Sequence, residues 1–339
     1  MTFTESNTVE SMFIDLLCGS QSAGRVANFP KVGNSGIGEP RAPYLTTGRN
    51  SRGNGWHYVA PADLPRQPQE VFVEQHVRAA LIRLNPSIAA QPDRADEVLH
   101  RLRAIVLAVR ADGLIKANEE CMAWLRGERS MPFGPNHEHV TVRLIDFDDL
   151  DANQYVATTQ LTVRAGPAER RADIVLFVNG FPLVVVEAKT PVRAAVSWFD
   201  GARQIHDDYQ RYVPELFVSN VFSVASEGKD LRYGAIHMPL ELWGPWRVEE
   251  EGAGKKFNFS EKVELLGVQR AVASLLRPNV VLDMLANFTL FATDKKKRRL
   301  KLVARYQQYQ AANQIVQRVL AGAPRKGLIW HFQGSGKSL

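Results

Sequence analysis

From Gln69 onward apolar positions recur at helical spacing. Val73, Val77, Ala80, Leu81 and Leu84 predict an amphipathic helix over 69–84. Leu99, Leu102, Val106 and Val109 predict a second, with Asp93 and Asp96 suited to its first turn, and a third is expected over 114–124. The period then changes. Segments 140–147, 155–163, 173–178 and 183–189 are rich in β-branched and aromatic residues and read as strands. A helix over 195–212 and strands at 217–225 and 231–236 complete an α/β unit over 69–246.

The flanks read differently. Residues 1–68 are loop-rich: Gly, Asn, Ser and Pro dominate from 20 to 54, and only a short apolar segment at 12–17 looks able to dock. The polar stretch 247–262 reads as a linker, followed by helices over 263–276, 281–291 and 302–320. Lys295, Lys296, Lys297, Arg298, Arg299, Lys301 and Arg305 fit either a solvated helix face or contact with a nucleic-acid backbone. An apolar strand is expected at 327–331. This divides the chain into 1–68, 69–246, a linker with helices at 247–301, and 302–339.

Composition narrows the class. With 45% hydrophobic and 23% charged residues over 339, the chain is an ordinary globular protein, not a disordered one. No uncharged apolar run approaches the ~18 residues of a membrane span, and the acidic N-terminus is no secretory signal. Cys18 and Cys121 cannot build a disulfide scaffold or a four-ligand zinc site, so a cytoplasmic setting is expected. The net charge of +6 tilts only slightly towards a polyanionic partner.

Candidate chemistry gathers at Asp173, Glu187 and Lys189, on apolar runs flanking Asn179-Gly180. Glu187 and Lys189 are two apart on a strand and share a face. A strict two-residue turn would pair 178 with 181 and send Asp173 to the opposite face. An odd loop pairing 177 with 181 would bring it back, and Pro182 disfavours a regular tight hairpin. An odd loop or a bulge is therefore expected. Two carboxylates so placed could hold Mg²⁺, whose bound water attacks a phosphodiester while Lys189 stabilises developing charge. The alternative is a strand-end ion pair, Glu187 to Lys189, with Asp173 a turn residue.

Asp173 followed by Glu187-Ala188-Lys189 on an apolar strand resembles the PD-(D/E)xK nuclease motif, with Ala172 in place of the proline. The text RADIVLFVNGFPLVVVEAKTP resembles the nuclease domain of the R subunit of Type I restriction-modification enzymes. The resemblance implies a restriction-endonuclease-like core with flanking helices, Mg²⁺ held by Asp173 and Glu187, and an acidic residue on the first helix, for which Glu74 is the candidate and Glu70 its rival. It also implies a Gln and a Tyr on the following helix, usually four residues apart. Gln204 fits. Tyr209 is five away, about 140° round an α-helix, which points it to the core.

At the other end, residues 327–338 resemble the strand and Walker A loop of the same subunit's RecA-like helicase motor, with His331 at the first motif position. Gly334, Ser335 and Gly336 would cradle the phosphates of ATP, Lys337 would reach the β and γ oxygens, and Ser338 would hold Mg²⁺. Gln308 resembles that family's adenine-reading glutamine. The resemblance implies a truncated motor start within a longer subunit, cleavage of double-stranded DNA after ATP-driven translocation, and modification and specificity subunits as partners. No membrane partner is expected. An inert docking fragment and an autonomous nuclease remain open. His137-Glu138-His139 reads as a loop, and Asp146, Asp148, Asp149 and Asp151 as turn residues.

Overall fold

The computed structural model describes residues 9–19, 54–190, 195–247 and 267–329. It begins with helix α1 (Ser11–Cys18), whose Phe13 and Leu17 are fully buried, so the apolar N-terminal segment does dock. Strand β1 (His57–Tyr58) leads to helices α2 (Glu74–Leu84), α3 (Pro86–Ala89), α4 (Arg94–Asp112) and α5 (Leu114–Leu125). A small hairpin, β2 (Ser130–Met131) with β3 (Val140–Thr141), follows. The strand expected over 140–147 stops at Thr141, because the next residues are held by side chains instead: the Arg143 N–H donates to Asn85 and the Asp146 N–H to Asn153.

The central sheet comes next: β4 (Tyr155–Ala165), β5 (Ala168–Val178), β6 (Phe181–Ala188), helix α6 (Trp198–Arg203), a π-helical segment (Gln204–Tyr209), α7 (Gln210–Tyr212), then β7 (Phe222–Ser226), β8 (Leu231–Gly234) and β9 (Gly244–Pro245). Its strand order is β1-β4-β5-β6-β7-β8-β9. Neighbours run antiparallel except β1 with β4 and β6 with β7, the latter joined by the α6–α7 crossover. All eight residues of β6 are buried, which is why it reads as a continuous apolar run.

The hairpin β5–β6 settles the register question. The turn at Asn179-Gly180 has two residues, both left-handed (φ 48° and 87°), and Val178 pairs with Phe181. Gly180 is required here twice over, since a Cβ would lie 2.5 Å from the Val73 carbonyl oxygen. The register then slips: Phe177 pairs with Pro182 but Leu176 with Val184, leaving Leu183 as a bulge beside the proline. Of the two expected routes the odd loop is absent and the bulge is present. Ile174 pairs with Val186, so Asp173 falls opposite Glu187 on the same face.

Helices α8 (Gly267–Leu275) and α9 (Pro278–Asn287) follow, α8 packing against α1. The basic run is not on a helix. It lies in an antiparallel hairpin, β10 (Thr289–Thr293) with β11 (Arg299–Val303), turned by Lys297 at φ 61° and by Asp294, whose carboxylate accepts the Lys296 and Arg298 N–H groups. The last helix, α10 (Tyr306–Ala321), therefore starts four residues later than the periodicity predicts. Residues 327–329 are not in a strand, since no neighbouring strand lies beside them among the described residues.

Candidate active site

Burial sets the electrostatics of the site. Glu187 is 1% exposed and Asp173 half-buried. Desolvation raises both carboxyls; the adjacent Asp173 charge adds to the effect on Glu187, which is pushed up to about 8 against the pull of Lys189. Asp173 accepts the Ala188 N–H at 2.8 Å through Oδ2 and the Gln160 amide at 3.3 Å through Oδ1. The Lys189 ammonium donates to Glu187 Oε1 at 2.8 Å and to Gln204 Oε1 at 2.6 Å. Glu187 Oε2 is buried with no hydrogen-bond partner. An unpaired carboxylate oxygen in such a place costs roughly 1–3 kcal/mol or more, unless a cation or a proton satisfies it.

The helix after β6 is built to reach this spot. Ser197 and Asp200 form a reciprocal capping box at its start. Gly201 lets it approach, because a Cβ there would lie 3.3 Å from the Glu187 carbonyl oxygen. Tyr209 is buried in the core as expected, yet its hydroxyl also reaches Gln204. Residues 204–209 wind as a π-helix, whose i→i+5 bonding brings residues five apart onto one side. Gln204 Nε2 donates to the Tyr209 hydroxyl at 2.6 Å, and that hydroxyl donates to the Arg171 carbonyl at 2.8 Å. Lys189, Gln204, Tyr209 and strand β5 thus form one chain of hydrogen bonds.

Glu74 is not brought to this place. Its carboxylate takes a two-pronged bond from Arg103, at 2.6 and 2.5 Å. It also stands at the wrong end of the hairpin: the neighbouring Val73 N–H donates to the Gly180 carbonyl, and five residues of strand, about 17 Å, separate Val178 from Asp173. Glu70 accepts the Gln67 N–H. The acidic residue that does approach is Glu10, 4% exposed at the start of α1, with Oε1 2.9 Å from the Gln160 amide that also reaches Asp173. Its one sequence signal is an acid just before the apolar segment 12–17.

Among the described residues no three His, Cys, Asp or Glu side chains form a metal cage. A cation here would rest on the two carboxylates of Asp173 and Glu187 and otherwise on water or phosphate oxygens, a coordination that suits Mg²⁺. The orphaned Glu187 oxygen fits that demand. Asp146 Oδ1 accepts the Asp148 and Asp149 N–H groups, a turn, and His139 Nδ1 lies 3.1 Å from the Ser130 hydroxyl. Gln308 stands in the first turn of α10, its side chain accepting the Arg305 N–H at 2.8 Å. Gly334, Ser335, Gly336, Lys337 and Ser338 lie outside the described residues.

Residues 50–240 match the model of the Type I restriction enzyme R protein N terminus, and that match covers the whole central sheet but β9. The chain belongs to that family. Residues 307–339, from α10 onward, match the SWI2/SNF2 ATPase family, which fits the start of a motor. Among similar proteins, the Type I restriction enzyme HindI endonuclease subunit of Haemophilus influenzae is 31% identical over 305 residues, covering 84% of this chain and 28% of that protein. The putative type I restriction enzyme MjaVIIP endonuclease subunit of Methanocaldococcus jannaschii is 32% identical over 212 residues, covering 58% and 18%. The chain spans less than a third of the length of these relatives. Among its described residues no helix is long and apolar enough to cross a membrane.

Proposed function

We propose that this R-subunit N-terminal region carries a PD-(D/E)xK site that cleaves double-stranded DNA. One observation carries the reading: the bulge at Leu183 sets Asp173 opposite Glu187 while Glu187 Oε2 stays buried and unpaired beside Lys189. Asp173 and Glu187 would hold Mg²⁺, which when bound polarises a phosphodiester and lowers the pKa of a water. Lys189, fixed between Glu187 and Gln204, keeps an ammonium where charge develops on the phosphate. Gln204 and Tyr209 hold that ammonium in place by tying it to the Arg171 carbonyl. Nothing among these residues reads base edges, so sequence recognition would fall to the modification and specificity subunits.

The match at 307–339 supports a RecA-like, ATP-binding motor beginning at α10, with Gln308 on adenine and residues 334–338 on phosphate. The reading is tested by titrating Mg²⁺ or Mn²⁺ into the 339-residue chain in a calorimeter, with plasmid nicking in the same buffers. Binding in the wild type that both Asp173→Ala and Glu187→Ala abolish is the expected result. Equal heats in all three proteins, without nicking, would leave a strand-end ion pair and an inert docking module.

A further inference from the structure

The strands β4 and β5 pair in one register from Tyr155 with Val178 to Ala165 with Ala168, and the single step missing from that ladder is Gln160 opposite Asp173. Gln160 has φ 51°, the one left-handed non-glycine residue inside a strand among those described. That conformation costs such a residue roughly 1–2 kcal/mol. No turn calls for it, since the register is the same on both sides. What it achieves is at the side chain. The Gln160 amide reaches Glu10 Oε1 at 2.9 Å and Asp173 Oδ1 at 3.3 Å, and because an ionised carboxylate only accepts, the NH₂ must face both acids, one hydrogen to each. Asp173 is thereby gripped from both neighbouring strands, by Gln160 of β4 and by the Ala188 N–H of β6.

We propose that Gln160 is a positioning residue of the site: its strained backbone aims one amide at Glu10 and Asp173 and holds the Asp173 carboxylate in place for a cation shared with Glu187. This rests on the metal-site reading above. A cleft of about 250 Å³, walled by Arg66 and Thr162, opens beside Gln160.

Glycine separates the two roles, because Gln160→Gly keeps the left-handed backbone without strain and deletes the amide. Gln160→Asn also tolerates that backbone and keeps a donor one methylene short. Mn²⁺ titrations of the full 339-residue chain by calorimetry, with thermal unfolding alongside, should show Gln160→Gly binding roughly 10-fold more weakly at an undiminished Tm, and Gln160→Asn in between. Wild-type affinity in Gln160→Gly, with binding lost in Asp173→Ala, would overturn this proposal and leave the metal site standing. A fall of about 10 °C or more in Tm for Gln160→Gly would make the amide a structural brace and overturn it as well. Heats unchanged by Asp173→Ala would remove the metal site and this proposal together.

Discussion

The β5–β6 hairpin carries a buried polar side chain near each end, and the two are treated in opposite ways. At the turn, Asn179 is fully buried and fully satisfied. Its amide donates to the Leu144 carbonyl and to Asn153, and its oxygen accepts from Arg83 and the Gln154 N–H. At the other end Glu187 is equally buried, yet one oxygen takes a hydrogen bond from Lys189 and the other has no partner, with the Asp173 charge opposite helping to push its carboxyl up. A satisfied buried group specifies a fold, whereas an unsatisfied one is retained at a stability cost. The turn is scaffold, and the open end is where the proposed site falls.

The sharpest way to break this contrast is at the scaffold. Asn179→Ala strips four hydrogen bonds and leaves buried backbone groups bare, so unfolding in urea should show a loss of about 2–4 kcal/mol. A loss below 1 kcal/mol would erase the distinction.

Glu187→Gln should move the other way. With its carboxyl pushed up to about 8, the folded chain keeps a proton that the unfolded chain releases near its ordinary 4.5, so the wild type loses stability as pH rises across that window. The amide carries no such proton. In metal-free buffer the variant should match the wild type near pH 4.5 and exceed it by several kcal/mol at pH 9, up to about 5 by linkage. A constant difference between the two at every pH would contradict the assignment.

Tyr209→Phe removes the link between Gln204 and the Arg171 carbonyl, and should cost about 1 kcal/mol of stability and lower any nicking rate several-fold. Glu74→Ala, at a partly exposed ion pair, should change stability by under about 1 kcal/mol and leave metal binding untouched. Metal binding lost in Glu74→Ala would bring the turn end into the site after all.

Much of this was legible because the chain states it locally. The run 183–186 announces a buried strand, and charges at 187 and 189 at its end announce an exception to burial. Pro182 warned of an irregular hairpin, although the strand rather than the loop absorbs the extra residue. What could not be read depends on long-range contact or unusual winding. Glu10 meets Gln160 across 150 residues of sequence. Tyr209 joins Gln204 only because the helix there is wound as a π-helix, whereas spacing arguments assume 3.6 residues per turn. The β10–β11 hairpin is hidden by its own lysines, whose turn depends on Asp294 and a left-handed Lys297.

The most direct measurement is a crystal structure of the chain grown with Mn²⁺, with data collected at the manganese absorption edge. An anomalous peak between the Asp173 and Glu187 carboxylates, with Glu187 Oε2 among the ligands, is the result this account predicts. Ordered side chains at both positions with no peak, and the Glu187–Lys189 pair closed, would contradict it.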